Sequence, residues 1–496
     1  MGTTDSSVII VGAGPVGLML AGELRLSGVS VSVYERRLTR SGESRGVGFT
    51  TRAAETFAQR GLLERFGEVE ITRQGHFGGI PMDFGVLPGS NFGARGIPQY
   101  RVEEMLENWV RELGGSVYRG YELTRLQAGA DAVTVVIEGP DGPIERTAEY
   151  LVGCDGGHST IRRLMGFDFP GADAVREMYM ADVVGAQIKP RPIGERVPGG
   201  MVMSGRLEPG VDRIIVCPIG TPPSTDRASA NAAEVAAAWE RLTGESLAGA
   251  EFTWVSAFTD ATRQVTEYRR GRVLLAGDAA HIHLPAGGQG MSLGLQDAAN
   301  LGWKLAATVH GWAPDDLLDS YHSERHPVGA RVLRNTLAQG MLYLSGNDID
   351  PLRSVVAELV AMPDVGRHLS GMVSGVDIRY DVGAAGHPLL GMRMPDAELE
   401  LTAGRRIRIS ELLRQARGVF ITSHDADQLS ELLAGWHDRV DLVTVRALPP
   451  APDGTPTESV LIRPDGYLAW AEPAGGELAE ALQRWFGAAR VTAEIG

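Results

Sequence analysis

A glycine-rich turn between a strand and a helix near the start of the chain constrains the fold most strongly. Residues 8–11 are a β-branched run, residues 12–17 read GAGPVG, and an apolar helical stretch then ends near residue 28. In the next segment Val29, Val31 and Val33 alternate with other residues, and this strand closes on Glu35. Together these elements predict a βαβ unit that carries the GxGxxG dinucleotide-binding fingerprint.

Each residue type in this fingerprint has a physical role. Gly12 permits a tight turn, Gly14 lets the backbone approach a pyrophosphate, and Gly17 lets the helix pack closely on the strand. The helix N-terminus attracts the anion, and Glu35 would accept a hydrogen bond from a ribose hydroxyl. An ordinary strand-to-helix turn does not require an acid in this register, so we predict dinucleotide binding. The fingerprint by itself does not distinguish FAD from NAD.

Two further junctions of strand, glycine turn and helix follow along the chain. A strand near residues 150–153 leads into CDGGHSTIR at residues 154–162, and a strand at residues 272–276 enters GDAAH at residues 277–281. After Pro285, the stretch GGQGM at residues 287–291 opens a long helix that runs to about residue 310. The chain has 64 glycines without a G-X-Y period, and these junctions explain part of that excess.

The remaining segments predict two more regions. Residues 101–113 read as a helix and residues 132–137 as a strand, whereas residues 170–270 contain short apolar segments and one helix near 231–242. The latter pattern indicates a mixed or antiparallel sheet. From about residue 386 a small α/β region begins, with strands near 418–422, 440–445 and 458–462 and a closing helix at 476–486.

Charge, hydropathy and cysteine usage exclude several partners. The chain has 47 basic and 62 acidic residues, and the net charge of −15 disfavours nucleic acid and anionic lipid. No uncharged apolar stretch reaches the roughly 18 residues of a membrane-spanning helix. Cys154 and Cys217 are too few for a disulfide framework or a cysteine-rich zinc site. We therefore expect a cytoplasmic protein that binds neither nucleic acid nor membrane.

The three junctions together resemble those of the single-component FAD-dependent aromatic hydroxylases, the class built like p-hydroxybenzoate hydroxylase, over about residues 7–385. Further stretches are similar to those of the angucycline-type aromatic polyketide hydroxylases: GESRG at residues 42–46, GHFGG at 75–79 and HIHLPAGGQG at 281–290. Enzymes of that group also end in a thioredoxin-like domain. Because the region from about residue 386 has no CxxC motif, we expect that domain to be structural rather than redox-active.

The resemblance implies an α/β fold in which a GxGxxG Rossmann-like FAD-binding domain is interleaved with a mixed-sheet substrate domain. It assigns residues 1–72, 101–172 and 271–385 to the FAD-binding domain, the last part with long helices. Residues 73–100 and 173–270 form the substrate domain by the same assignment, and residues 386–496 form the thioredoxin-like domain.

The resemblance also implies which residues hold the cofactor and support catalysis. The cofactor-binding set is Gly12, Gly14, Gly17, Glu35 and Arg36 at the ADP half of FAD, Arg45 near the pyrophosphate, Gln99 near the ribityl chain, Asp155 in the second motif together with Arg162, Asp278 at the ribityl chain, and Gly288, Gln289, Gly290 and Met291 at the pyrimidine end. The carbonyl of Pro285 is expected to face the reacting centre. Amides near Gly290 and Met291 are expected to stabilise the negative charge of reduced flavin.

The function implied by the resemblance is an FAD- and NADPH-dependent monooxygenase of antibiotic biosynthesis. It would hydroxylate a polycyclic aromatic polyketide, such as an angucyclinone, with dioxygen through a C4a-hydroperoxyflavin. Since the chain has no second GxGxxG unit, we expect NADPH to dock transiently. A Baeyer-Villiger oxygenase or epoxidase acting on a similar substrate is one alternative, and a non-catalytic flavin- or polyketide-binding protein is another. We expect a monomer or a homodimer.

One residue departs from the family pattern. After Gly290 and Met291 the family usually has an asparagine that helps to fix the flavin edge, and this chain has Ser292. We expect FAD to bind nevertheless, because backbone N–H groups of the glycine turn and helix start supply most of the anion-stabilising contacts.

Several other residues admit more than one interpretation. His281 and His283 form an H-x-H pair, but a metal site needs three or four ligands and none is evident nearby, so we expect no metal. Cys154 is expected to be a buried thiol rather than a nucleophile. Arg269 and Arg270 could meet the phosphates of NADPH, although a solvated charge run is the commoner explanation. Met201 and Met203 either line a flat substrate pocket or pack in the core.

Overall fold

The computed structural model describes residues 6–40, 42, 44–87, 93–224, 230–473 and 475–490. Its helices are α1 (Pro15–Leu26), α2 (Thr51–Ala58), α3 (Gln99–Glu112), α4 (Thr160–Leu164), α5 (Ala232–Thr243), α6 (Gln289–Val309), α7 (Ser320–Leu344), α8 (Asp350–Val360), α9 (Pro363–Ser374), α10 (Ile409–Leu412), α11 (Ala426–Leu433) and α12 (Leu478–Phe486). Across these segments, no helix has both the length and the apolar character needed to cross a bilayer.

The strands in the first half of the chain are β1 (Ser6–Val11), β2 (Val31–Glu35), β3 (Ile71–Thr72), β4 (Gln74–Phe77), β5 (Ile80–Asp83), β6 (Ala94–Arg95), β7 (Ser116–Arg119), β8 (Glu122–Ala128), β9 (Val133–Gly139), β10 (Gly142–Gly153), β11 (Gly171–Ala172), β12 (Glu177–Val184), β13 (Arg191–Val197), β14 (Gly200–Glu208) and β15 (Val211–Pro218). Those in the second half are β16 (Glu251–Thr259), β17 (Thr262–Gln264), β18 (Arg269–Arg270), β19 (Val273–Leu275), β20 (His281–Ile282), β21 (Glu398–Glu400), β22 (Arg406–Arg408), β23 (Gly418–Thr422), β24 (Val440–Thr444), β25 (Ser459–Ile462) and β26 (Leu468–Glu472).

The main sheet has the strand order β18-β19-β10-β1-β2-β7, and its inner strands β19, β10, β1 and β2 run parallel to one another. The predicted first strand and first helix are confirmed. The second strand begins at Val31, two residues later than the alternating pattern suggested. The reason is local: the N–H of Val29 donates to the carbonyl of Leu24, so this residue still belongs to the helix exit.

Helix α6 lies directly on α1 because glycines face the neighbouring helix. A Cβ atom on Gly294 would come within 2.5 Å of Cγ2 of Val16, and one on Gly302 would come within 2.5 Å of Cβ of Glu23. These separations leave no room for a side chain. The close approach fixes the start of α6 against the glycine turn that begins α1.

A second sheet, with the order β13-β14-β15-β12-β16, is antiparallel throughout, which is one of the two arrangements, mixed or antiparallel, that the short segments in residues 170–270 predicted. Helix α5 covers one face of this sheet and buries Trp239 there. Met178, Met201 and Cys217 belong to a different cluster, which also contains Leu284 from the glycine-rich loop before α6. The sheet is thereby packed against the glycine-rich loop that precedes α6.

The C-terminal region forms a sheet with the order β24-β23-β25-β26, in which β23 and β24 are parallel and the other pairs are antiparallel. The strands predicted at 418–422, 440–445 and 458–462 and the closing helix are confirmed to within two residues. Strand β26, which the sequence did not indicate, completes the edge. The mixed α/β fold with a separate C-terminal region agrees with the predicted fold class, whereas the residue boundaries of the domains stay a prediction.

Buried charges join the C-terminal region to the rest of the molecule. Arg463 donates to both oxygens of Glu324 at 2.5 and 2.9 Å and to Asp465, and Lys304 donates to Glu324 at 2.7 Å. Arg60, which pairs with Glu23 through two bonds of 2.8 Å, also donates to the carbonyls of Leu413 at 2.5 Å and Pro464 at 2.9 Å in the C-terminal region. We refer to Lys304, Glu324, Arg463 and Asp465 as the interface ion cluster.

Candidate functional site

The three predicted junctions leave the main sheet at the same edge. Val11 at the end of β1 lies beside Tyr34 of β2 and beside Gly153 of β10, and Gly153 in turn lies beside Leu275 of β19. Since these strands are parallel, the turns that follow them face a common cleft. Sequence spacing alone indicated three separate turns, and the strand register places them side by side.

The glycines of the first turn have different surroundings. Gly12 has a φ of +105°, and a Cβ atom there would overlap the carbonyl oxygen of Cys154. A Cβ on Gly17 would overlap the carbonyl oxygen of Gly12. On Gly14, by contrast, a Cβ would meet nothing within 4 Å. Gly12 and Gly17 are therefore required by packing, whereas the open side of Gly14 is where a ligand can approach the backbone.

The carboxylate of Glu35 is held against the first turn. Its Oε2 accepts the N–H of Ala13 at 2.9 Å and its Oε1 accepts the N–H of Arg37 at 2.9 Å. These bonds fix the acid at the end of β2, beside the start of α1. Arg36 follows it in an exposed position. Contacts of Glu35 and Arg36 with an ADP group stay a prediction.

Asp155 begins the second turn and caps helix α4. Its Oδ2 accepts the N–H groups of Thr160 at 2.6 Å and Ile161 at 3.2 Å. Its Oδ1 is buried and has no hydrogen-bond partner in the described part of the chain, and burial raises the pKa of this carboxyl. An orphaned acceptor next to the first glycine turn suits a ligand that brings a donor, such as a ribose hydroxyl.

Arg162 connects the second turn to the third. It donates to the carbonyl of Gly157 at 2.7 Å and to the carbonyl of Ala279 at 2.9 Å, and its guanidinium lies 3.8 Å from the ring centroid of Phe169. Ala279 belongs to the turn that contains Asp278, whose side chain is exposed at the cleft edge. The arginine thus acts through backbone contacts that set the distance between two predicted cofactor-binding segments.

Two predicted residues, Gln99 and Met291, meet Gly46 of the 42–46 stretch beside the start of α6. Oε1 of Gln99 accepts the N–H of Gly46 at 3.3 Å, and its Nε2 donates to Glu103 at 2.8 Å. A Cβ on Gly46 would lie 3.9 Å from Cε of Met291. Arg45 is exposed on the same segment, and Glu43 of that stretch lies outside the described residues.

Helices α1 and α6 both begin with an uncapped glycine. Gly14 and Gly288 are the N-cap residues, neither start has a side-chain cap, and neither first turn contains an acid. Two positive helix ends thus remain available to anionic groups. Together with the open side of Gly14 and the orphaned acceptor oxygen of Asp155, these helix ends fit the anionic and hydroxyl groups of a dinucleotide such as FAD.

The loop before α6 is tightly turned. The carbonyl of Pro285 accepts the N–H of Gly288 at 3.2 Å, and Gly287 and Gly288 both have positive φ angles. His283 is the nearest group to a Cβ built on Gly290. Both polar side-chain atoms of Gln289 are bonded to protein groups. The roles of Pro285, Gly288, Gln289, Gly290 and Met291 toward flavin stay predictions.

Ser292 has a defined partner in the structure. Its Oγ accepts the N–H of Thr50 at 3.0 Å, and Thr50 is the N-cap residue of α2. The serine therefore bonds to the segment that carries Arg45 and Gly46. The hydroxyl of Ser292 is thus engaged by the protein itself, and the expectation that FAD binds without the family asparagine at this position stays a prediction.

Sequence reasoning missed a buried group behind the third turn. Nε2 of His281 lies 2.7 Å from Oδ2 of Asp297, and Arg325 donates to Oδ1 of Asp297 at 2.7 Å. Burial alone would raise the pKa of Asp297, but Arg325 and His281 together hold it below its ordinary value. The one available sequence signal was an acid among apolar residues in the middle of a long helix.

The structure also shows the surroundings of the arginines and cysteines that admitted more than one interpretation. Arg269 pairs with Asp319 at 2.6 Å and Arg270 with Glu267, so the charge run is neutralised locally. Burial raises the pKa of the Cys154 thiol far above its ordinary value and that of Cys217 to about 12. Both cysteines are buried, as expected for Cys154.

Of the two methionines that could line a pocket or pack in the core, Met201 packs in the core. Met201 is buried in the cluster with Met178, Cys217, Leu284 and Tyr343, and Met203 packs on it from a partly exposed position. This cluster lies between the antiparallel sheet and the loop before α6.

Comparisons with known proteins agree with this geometry. A family model described as "FAD binding domain" matches residues 5–336, and one described as "Aromatic-ring hydroxylase, C-terminal" matches residues 387–489. The crystal structure of CabE, an aromatic hydroxylase from angucycline biosynthesis, superposes with a TM-score of 0.94 at 56% identity, covering 98% of this chain and 100% of that chain.

Two curated proteins are similar over nearly their whole length. The 12-dehydrotetracycline 5-monooxygenase/anhydrotetracycline 6-monooxygenase of Streptomyces rimosus subsp. rimosus is 43% identical over 499 residues, covering 97% of this chain and 98% of that protein. The dialkyldecalin synthase of Streptomyces rugosporus is 38% identical over 492 residues, covering 98% and 100%.

Proposed function

Because this chain belongs to the family of FAD-dependent aromatic hydroxylases, we propose that it hydroxylates a polycyclic aromatic polyketide of the angucyclinone type with dioxygen and NADPH. The observation that carries the proposal is the likeness to CabE, which extends over both chains at 56% identity. The membership confirms the family resemblance, the fold class and FAD as cofactor that the motifs indicated.

The chain's own residues divide the work of holding FAD. The open backbone at Gly14 and the start of α1 would bind the pyrophosphate, Glu35 the adenosine ribose, and Asp155 and Asp278 further hydroxyls. The start of α6 would stabilise negative charge at the pyrimidine end of the ring. When bound, FAD supplies hydride acceptance and oxygen activation, and the protein supplies position and exclusion of water.

The substrate would lie on the antiparallel sheet beside the buried cluster that joins this sheet to the loop before α6. Met203, Ile215 and Phe258 pack on that cluster and are only partly buried, so their apolar side chains are available to fused aromatic rings. His76 contributes a ring 5.2 Å from that of Tyr343, and burial lowers its pKa to about 4. Because Nδ1 of the neutral imidazole accepts the N–H of Gly79, its proton is on Nε2, which can donate to a phenol or carbonyl oxygen of the substrate at physiological pH.

Steady-state turnover tests the proposal directly. Purified protein loaded with FAD should oxidise NADPH faster when an angucyclinone such as a prejadomycin-like compound is added, and the product should gain one oxygen atom on an aromatic ring. Mass and position analysis of the product provides the measurement. A lactone or ring-opened product would support the Baeyer-Villiger alternative instead, and an epoxide would support epoxidation.

A function without oxygen transfer is the second candidate, and one observation favours it. The dialkyldecalin synthase that aligns over 98% of this chain carries a name that implies ring formation rather than hydroxylation. If several angucyclinones bind but none stimulates NADPH oxidation, the hydroxylase proposal is wrong and this candidate gains support.

A further inference from the structure

A chain of buried side-chain amides crosses helix α7. The N–H of Gly78 donates to Oε1 of Gln339 at 3.2 Å, and Nε2 of Gln339 donates to Oδ1 of Asn335 at 2.9 Å. Nδ2 of Asn335 then donates to Oε1 of Gln289 at 3.0 Å, and Nε2 of Gln289 donates to the carbonyl of Ala286 at 3.1 Å. We call Gln339, Asn335 and Gln289 the amide relay.

The direction of every hydrogen bond in the amide relay is fixed by its ends. A backbone N–H can only donate, and a backbone carbonyl can only accept. Because Gly78 supplies the N–H and Ala286 supplies the carbonyl, reversing any one amide would oppose two donors or two acceptors. The relay therefore has a single satisfied arrangement, and its consecutive bonds polarise one another.

Burial makes that arrangement costly to break. Gln339 is 0% exposed, Gln289 3% and Asn335 4%. An amide that loses its partner at such a position is left without water to replace it, so the desolvation penalty is retained in full. Polar groups buried to this degree specify one local structure more strongly than an apolar core of the same size would.

The two ends of the relay lie in the two parts of the molecule that the reaction has to bring together. Gly78 is in the turn between β4 and β5, next to His76, whose ring meets Tyr343 in the apolar cluster. Ala286 is in the loop between Pro285 and the start of α6. The relay thus runs from the substrate side of the cleft to its flavin side.

The surroundings restrict the ends further. Arg353 donates to the carbonyl of Gly78 at 2.7 Å, so the turn is held through both of its peptide groups. A Cβ on Gly287 would lie 3.3 Å from Nε2 of Gln289 and 3.6 Å from Nε2 of Gln339, which places that glycine directly on the relay. A shift of the relay would accordingly move the loop.

We propose that Gln339 and Asn335 are positioning residues of the hydroxylation, which set the spacing between the β4–β5 turn and the 285–290 loop through Gln289. Gln339 and Asn335 do not belong to the predicted catalytic set of Pro285, Gly290 and Met291. Their effect is on where the Pro285 carbonyl and the Gly290 and Met291 amides stand relative to a substrate held near His76. This inference rests on the proposed function for its catalytic consequence, but its structural part concerns the chain alone.

The test compares Gln339→Met with Thr336→Val. Methionine preserves the length of the glutamine side chain and removes its hydrogen bonds. Thr336 is likewise buried in α7 and loses one hydrogen bond, to the carbonyl of Leu333, without touching the relay. Both variants would be loaded with FAD and examined by hydrogen exchange of a peptide spanning residues 284–291, by flavin absorption, and by turnover.

In Gln339→Met we expect the hydrogen-exchange rate of the 284–291 peptide to rise roughly fivefold, because losing one ordinary net hydrogen bond changes an equilibrium by about that factor. The absorption spectrum of the bound flavin should shift as well. Product formed per NADPH consumed should fall while the KM for NADPH stays unchanged, because donor docking is not affected. Thr336→Val should match the wild-type protein in all of these measurements.

The proposal would be overturned if Gln339→Met and Thr336→Val showed equal exchange in the loop peptide and equal flavin spectra. If Gln339 only stabilised the fold, its replacement would change the melting temperature and neither of these two readouts. If Gln339→Met does not fold, Asn335→Leu interrupts the relay one step later and takes its place. If wild-type protein shows no substrate-stimulated NADPH oxidation, the proposed function fails, whereas loop exchange and flavin absorption still decide whether the relay positions the loop.

Discussion

Gly12 and Gly14 belong to one turn but are glycine for different reasons. The first has a positive φ and no space for a side chain, so the protein itself requires it. The second has a φ of −79° that any residue can adopt, and the space beside it is open. A requirement for glycine at Gly14 would therefore come from the ligand rather than from the fold.

This difference predicts opposite outcomes for two alanine variants. Gly14→Ala should fold with an unchanged melting temperature in the absence of FAD, while its affinity for FAD falls at least roughly tenfold because the new methyl occupies the approach to the pyrophosphate. Gly12→Ala should lower the yield of folded protein itself. Thermal unfolding of the apoprotein and titration with FAD separate the two effects, and unchanged FAD affinity in Gly14→Ala would count against the pyrophosphate position.

His76 offers a residue-scale prediction about pH. Its folded pKa is about 4 against an ordinary value of 6.5, so the unfolded chain binds a proton that the folded protein does not. Stability from this group is present above pH 6.5 and is lost as the pH falls toward 4. The contribution should decrease by about 2 kcal/mol between pH 7.5 and pH 5. Urea unfolding of wild type and His76→Asn at both pH values isolates this contribution: between pH 7.5 and pH 5 the wild-type protein should lose about 2 kcal/mol more than the variant.

At the scale of elements, the contact between α1 and α6 determines how the two positive helix ends are spaced. Gly294 touches Val16, which is part of the first glycine turn, and its Cβ position is also 3.3 Å from Cα of Gly277 in the third turn. Gly294, in the second turn of α6, thus sets the separation of the first glycine turn, the third turn and the start of α6.

We expect Gly294→Ala to destabilise the protein by about 1 to 3 kcal/mol, because the added methyl overpacks this contact. FAD affinity should fall with it, since the helix starts move apart. Adding Val16→Ala removes the atoms that the new methyl meets, so the double variant should recover most of both losses. Denaturant unfolding and FAD titration of the single and double variants provide the check, and strict additivity of the two changes would refute the contact as the cause.

Elements with their own periodic or turn signals were predictable from the sequence. The βαβ unit, helix α6 and strands β23, β24 and β25 of the C-terminal sheet follow from local patterns. The positions of Gln339, Asp297 and Arg325 were not, because a buried polar residue on a helix gives no sign of which distant group satisfies it. Similarly, β26 could not be distinguished from the loop residues around it until its partner β25 was placed.

At the scale of the whole molecule, the C-terminal region is held by charge rather than by an apolar seam alone. The members of the interface ion cluster come from α6, α7 and the turn after β25, and all are buried. Burial alone would raise the pKa of Glu324, but Arg463 and Lys304 hold it at about 2. Removing Arg463 would leave the carboxylates of Glu324 and Asp465 buried without their main partner.

Arg463→Met should therefore cost about 3 to 5 kcal/mol, the usual scale for breaking a buried ion pair from one side. Because the pair joins two regions, the variant should unfold its C-terminal region before the rest of the molecule. Calorimetry and limited proteolysis would record this. Arg406, an exposed arginine whose ion pair with Glu398 lies on the surface, supplies the control: Arg406→Met should change stability by less than about 1 kcal/mol.

The burial of both cysteines has a practical consequence. Since Cys154 and Cys217 are enclosed and their thiols stay protonated at neutral pH, maleimide reagents should leave the native protein unmodified. A single cysteine introduced on the surface would then be the sole site of labelling without any need to replace the native pair. Fluorophores could be attached to the β4–β5 turn or to the C-terminal region, and movements during turnover could be followed in single molecules of otherwise unaltered protein.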